Sequence, residues 1–223
     1  MHASGMTDWE STQQEIQACR RCAERHVPHL RVPATEKREP PWPPVPPVRL
    51  YFVSVAPPWG GAYFWDEKAP DKVREGLFRA LQKPLRTEVT SCRQFCDLKL
   101  FLTPAVKCPS AKPKKGKDND HAPSTKAMTN CESFLRAELI AAQPERILAL
   151  GAVPFRSLCD IFRVTAPKGV AEFRGRVWWV RIGKNEVPMA GTYFTGNNRH
   201  KGFAKIVEDI DGLLKLEPRT PDA

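Results

Sequence analysis

No run in the 223 residues approaches the roughly twenty apolar positions that a membrane-spanning helix needs, and the first residues lack the apolar core of a secretory signal. A soluble, cytoplasmic protein is therefore expected. Carboxylates are scarce: 25 Asp and Glu stand against 35 Lys and Arg, for a formal charge of +10. That balance favours an anionic partner, nucleic acid ahead of an acidic membrane surface. Seven cysteines cannot all pair, and in a cytosolic chain they argue for metal or cluster ligation rather than a disulfide framework. Internal repeats are absent. The length fits one domain over 1–223, expected as a monomer, with disordered tails at 1–10 and 217–223.

What is present is an alternation of short apolar strands and amphipathic helices. Leu50–Val55, Lys99–Val106, Arg146–Leu150, Arg176–Arg181 and Val187–Tyr193 read as strands. Lys72–Leu81, Asn130–Ala142, Val153–Phe162 and Phe203–Leu216 read as helices, with a further helix near the N-terminus capped by Ser11 or Thr12. The pattern predicts an α/β fold, a three-layer α/β/α sandwich around a mainly parallel sheet. Residues 32–48, containing PPWPPVPP, read as an extended connector over the surface, and 109–125 as a polar, Lys-rich loop.

Two places stand out chemically. Leu50–Val55 breaks into Ala56-Pro57-Pro58-Trp59-Gly60-Gly61, then Ala62-Tyr63-Phe64-Trp65-Asp66. In an open α/β sheet ligands bind beyond the carboxyl ends of strands, so this aromatic loop with one acid suits a flat ring. The competing reading is a proline-rich turn whose aromatics cover the sheet. Secondly, Cys19-Arg20-Arg21-Cys22 offers two thiolates to one centre, and Cys108 and Cys131 flank the Lys-rich loop. Four thiolates from two separated pairs suit tetrahedral zinc or an iron–sulfur cluster, and spacing alone does not choose. Cys92, Cys96 and Cys159 read as small buried residues.

In order, Cys19–Cys22, Phe52–Pro57 (FVSVAP), Ala105–Cys108 (AVKC), Cys131-x-x-Phe134-Leu135-x-x-Glu138-Leu139, Ile147–Ala152 (ILALGA) and Gly191–Thr195 (GTYFT) resemble the uracil-DNA glycosylase superfamily, in its iron–sulfur families four and five. The resemblance covers roughly residues 10–213. It implies a [4Fe–4S] cluster in a structural role, held by Cys19, Cys22, Cys108 and Cys131, and a DNA partner with a flipped base. Three polar handles of a uracil pocket are replaced: the loop acid by Val55, the uracil-reading asparagine by Pro104 or Ala105, and the histidine of the last motif by Phe194.

The expected function is thus a monofunctional glycosylase acting on a non-standard base, deaminated or bulky, with hypermodified cytosine of phage DNA as one candidate. The alternatives are a plain uracil-DNA glycosylase or a DNA-binding protein that kept the scaffold. Base excision needs a carboxylate or positioned water near C1′ and a donor for the leaving base. Asp66, His200 and Asn197 are the catalytic candidates; Val55, Ala56, Pro57, Tyr63, Phe64 and Phe194 form the expected base pocket, with Phe64 or Tyr63 stacking on the base. Lys114, Lys115, His121, Asn198, Arg199 and Lys201 are the DNA-binding candidates. His121-Ala122-Pro123-Ser124 resembles the "HKTPS" of one branch, where the histidine enters the active site.

Overall fold

The computed structural model describes residues 8–28, 30, 40, 42–59, 63–111, 121–196 and 202–219. The expected residues Lys114, Lys115, Asn197, Asn198, Arg199, His200 and Lys201 lie outside them, as do Gly60 and Gly61.

Five strands, β1 (Leu50–Ser54), β2 (Leu100–Pro104), β3 (Ile147–Leu150), β4 (Trp178–Ile182) and β5 (Asn185–Thr192), form one sheet in the order β2-β1-β3-β5-β4. The first three pairings along this order are parallel, with Phe52 opposite both Leu102 and Leu148, and Leu148 opposite Ala190. Only the β4–β5 hairpin is antiparallel. Both faces of β1 and β3 are buried, which is why these strands read as continuous apolar runs rather than alternating ones.

The helices are α1 (Asp8–Ala18), α2 (Arg21–Glu24), α3 (Lys72–Leu85), α4 (Cys92–Asp97), α5 (Thr125–Ala142), α6 (Ala152–Phe162), α7 (Val170–Phe173) and α8 (Phe203–Leu214). α3 packs with α8, while α5 packs with α1 and α6, which gives the three-layer α/β/α arrangement. The expected fold class is the one observed.

Several local expectations need correction. α1 already runs from Asp8, and Thr12 Oγ1 donates to Asp8 O at 2.8 Å within it, so neither Ser11 nor Thr12 is its N-cap. The chain ends are held further out than expected: Arg219 and Glu186 exchange two backbone hydrogen bonds of 2.8 Å, and the Arg219 guanidinium lies 3.6 Å from the Trp179 ring centroid. The connector finishes inside the protein, with Val48 buried and bonded to Ala142 and Glu145. The basic loop ends at Ser124, whose hydroxyl accepts from Ala127 N at 3.3 Å as the N-cap of α5. α4 was not expected; Ser91 caps it, accepting from Gln94 N at 3.1 Å.

Candidate active site

β1 to β2 runs one way along the sheet, and β2 to β3 crosses back over β1. The strand order therefore reverses beside β1, and the crevice of such a sheet opens at the carboxyl ends flanking that reversal. Four segments converge there: Val55–Trp59 after β1, Ala105–Cys108 after β2, Gly151 after β3, and Tyr193–Gly196 after β5.

Backbone bonds fix their relative positions. Ala105 N donates to Ser54 O at 2.8 Å, Val106 N to Val55 O at 3.0 Å and Ser110 N to Pro57 O at 2.9 Å, so the β1–β2 ladder continues past both strands. Gly151 N donates to Thr192 O at 2.9 Å. Gly151 has φ +103°, and a Cβ there would lie 3.5 Å from Phe194 Cβ, so the β3 and β5 ends touch. The Phe194 ring folds over Gly196, where an added Cβ would come within 2.7 Å of it and 3.3 Å of Val73 at the start of α3. Val55, Ala56, Pro57 and Phe194 are half-buried here, and Ala105 is buried. Helix α6 starts straight after β3 with no side-chain cap, so its positive end faces this edge.

The loop after the pocket segment is organised by Arg74. Its guanidinium is buried and donates to the carbonyls of Tyr63 (3.3 Å), Phe64 (2.8 Å), Asp66 (3.0 Å) and Ala69 (2.5 Å). Asp71, the N-cap of α3, accepts from Arg74 N at 2.7 Å; burial pushes the Asp71 carboxyl above its usual range, against the pull of Arg74. Asp66 is half-buried, and its Oδ1 accepts from Lys68 N at 3.2 Å, so its carboxylate shapes the turn while α3 is capped by Asp71 instead. Glu67 accepts from Cys92 N at 2.8 Å and ties the loop to α4.

The aromatic expectation changes here. Phe64 is 5% exposed and packs edge-on against Trp65, Phe78 and Phe95, and Tyr63 is buried too. These rings are core, because the Arg74 bonds pull the loop down onto α3 and α4. Among the described residues, the aromatic side chains left half-exposed on the crevice segments are Trp59, Tyr193 and Phe194.

The four cysteines are brought into one region. Cys22, Cys108 and Cys131 share a small apolar cluster with Val27, Leu30, Val106, Ala127 and Met128, and Leu30 bridges to Ser110 beside Cys108. Burial pushes the Cys131 thiol up to about 11, opposed by the Lys107 backbone N–H and ammonium, with Cys22 and Cys19 adding to the rise. An all-thiol set is the soft donor set that iron–sulfur clusters and zinc demand. Among the described residues, no group of three or more His, Cys, Asp or Glu side chains is arranged to hold a metal ion. Of the remaining thiols Cys92 and Cys159 are buried as expected, while Cys96 is only half-buried; burial pushes the three up to about 12, about 11 and about 11 respectively. Ala56 of the pocket segment and Val153 of α6 pack against the cysteine cluster, which therefore backs the crevice.

Beneath this region lies an unexpected polar network. The Lys107 ammonium pairs with Glu138, and also donates to Thr103 Oγ1 at 2.7 Å and Pro104 O at 2.6 Å. Thr103 Oγ1 donates to Glu138 Oε2 at 3.0 Å, and Gln13 Nε2 to Glu138 Oε1 at 3.1 Å. The signal in the sequence was Glu138 on the apolar face of α5, between Leu135 and Leu139. His121 is half-buried, four residues before α5 begins at Thr125. A groove of about 900 Å³ between α3 and α8, lined by Arg49, Lys83, Phe203 and Leu214, opens at the opposite edge of the sheet. None of the motif segments reaches it.

Residues 43–209 match the Uracil DNA glycosylase superfamily. No curated protein matches the chain. The matched stretch holds all five strands, Cys108 and Cys131, and every described segment of the crevice; it starts after Cys19 and Cys22. Spanning well over half of the 223 residues, it shows that this chain belongs to the uracil DNA glycosylase superfamily.

Proposed function

We propose that the protein is a monofunctional DNA glycosylase of the iron–sulfur type. It hydrolyses the N-glycosidic bond of a non-standard base, deaminated or bulky, and leaves an abasic site. Family membership supplies the class: a DNA-binding hydrolase of N-glycosidic bonds. Among the described residues, no helix is long and apolar enough to cross a membrane.

One observation carries the specificity: the crevice positions that would read uracil hold Val55, Ala105 and Phe194, brought to one edge by β1, β2 and β5. An apolar wall selects by shape and excludes water, but it offers plain uracil no pairing for its polar edge. Phe194 takes the stacking role. Asp66 positions water or stabilises the oxocarbenium-like sugar, and the positive end of α6 stabilises the departing base. Cys19, Cys22, Cys108 and Cys131 would hold a [4Fe–4S] cluster, which supplies structural cross-linking of α1–α2, the β2 end and α5. Its wall, through Ala56 and Val153, keeps the pocket segment in place.

The burial of Phe64 favours a second reading, a DNA-binding protein that kept the scaffold without catalysis. A glycosylase assay separates them. Duplex and single-stranded DNAs carrying uracil, hypoxanthine, xanthine, 5-hydroxymethyluracil or glucosylated hydroxymethylcytosine are scored for alkali-labile abasic sites, with Asp66→Ala and Phe194→Ala beside the wild type. Excision of a modified base, lost in the variants, is the expected result. Tight binding with no abasic product on any DNA selects the second reading.

A further inference from the structure

Asn130 sits one residue before Cys131 on α5 and is 5% exposed. Its side-chain Nδ2 donates to Cys22 Sγ at 3.4 Å, while its Oδ1 accepts from Arg25 Nη1 at 3.0 Å. The same residue's backbone carbonyl accepts from Arg21 Nη1 at 3.1 Å, and Arg21 also reaches Ser133 Oγ at 2.9 Å. Arg21 lies within Cys19-Arg20-Arg21-Cys22, and Arg25 follows three residues after Cys22. Turned the other way, the amide would set its NH₂ against the Arg25 guanidinium, donor against donor, and its oxygen against the Cys22 sulfur. Arg25 therefore locks Asn130 with its N–H aimed at the thiol.

We infer that Asn130 is a positioning and tuning residue for the cysteine centre, a fixed amide donor to the Cys22 sulfur held in register by Arg25. The inference rests on the reading of these cysteines as cluster ligands. An N–H···S bond withdraws electron density from a ligating thiolate, which stabilises the more reduced, more negative state and raises the reduction potential.

The test uses the full chain purified without oxygen: wild type, Asn130→Leu, Asn130→Asp and Arg25→Ala. Iron and sulfide are measured first. The midpoint potential then comes from protein-film voltammetry, and the iron–thiolate stretching frequencies from resonance Raman. The expected result is equal iron content, with Asn130→Leu shifted to more negative potential and higher stretching frequency. Arg25→Ala, on an exposed side chain, shifts less in the same direction, and Asn130→Asp, which keeps shape and the Arg25 partner, shifts at least as far as Asn130→Leu. A purely structural role leaves Asn130→Asp at the wild-type potential and overturns the inference, as does an unshifted Asn130→Leu. Should Asn130→Leu fail to load iron, Arg25→Ala and Asn130→Asp decide by the same readouts. Wild type without iron and sulfide overturns the cluster reading itself, and this inference with it.

Discussion

Lys107 and Glu138 form an ion pair in the interior, their side chains 6% and 2% exposed, where the end of β2 meets the middle of α5. Each charge is fully engaged, Lys107 by Thr103 and Pro104, Glu138 by Thr103 and Gln13. The pair thus joins α1, β2 and α5, the elements that lead to Cys19, Cys108 and Cys131. Taking one partner away leaves a buried, unpaired charge, which costs about 3–5 kcal/mol. Lys107→Met and Glu138→Gln should each lower stability by that order in urea titrations, and the double substitution by clearly less than the sum.

Arg74 holds four carbonyls of the loop that carries Asp66. Arg74→Met should cost on the order of 3 kcal/mol and speed limited proteolysis between residues 63 and 71. Arg74→Lys keeps the charge but not the planar fork, so it should fall between wild type and Arg74→Met in both measurements.

Gly191 is hemmed in by aromatic rings: an added Cβ would lie 2.6 Å from Phe173 Cε2 and 2.7 Å from Phe155 Cδ2. Those two rings stack with centroids 4.2 Å apart and cannot part cheaply. Gly191→Ala should therefore destabilise by about 1–3 kcal/mol in thermal melts, whereas Gly212→Ala, at an exposed position of α8 with nothing near its Cβ, should not destabilise.

Asp209 on α8 accepts from Thr192 Oγ1 at 2.6 Å and lies 2.9 Å from Arg174 Nε, yet burial outweighs both and raises its carboxyl above the ordinary 3.8. The folded state then binds a proton more tightly than the unfolded chain. Its contribution to stability grows as pH falls through the raised value and is complete below 3.8. Measured by urea titration at several pH values, wild type should gain on Asp209→Asn as the solution is acidified, and the difference should level off below that value.

Cys131→Ala removes one of the four thiols of the proposed cluster. Loss of iron, of the broad visible absorption and of several degrees of melting temperature is the expected outcome, against Cys159→Ala as a buried-thiol control that keeps the iron.

The sheet was legible in the sequence because its central strands are apolar on both faces, and the end of β1 because Pro57-Pro58 follow soon after Ser54. α4 was not legible by periodicity, since six residues make too few turns, although Ser91-x-x-Gln94 is a capping signature. Phe64 could not be assigned to core or pocket from its neighbours. What seats it in the core is the grip of Arg74 on backbone carbonyls eight to eleven residues upstream for Asp66, Phe64 and Tyr63, a contact that leaves no side-chain pattern. Glu138 was visible in a motif, but its partner Lys107 is 31 residues away and their meeting depends on how β2 faces α5.

Because Arg74 grips only main-chain oxygens between residues 63 and 69, its hold on the loop does not depend on which side chains the loop carries. Asp66 and Glu67 add their own side-chain ties, to Lys68 N and Cys92 N, but the Arg74 grip remains when either is exchanged. On the proposed role of Asp66, a lineage adapting to a new base could thus change that side chain without first re-evolving the whole loop that presents it.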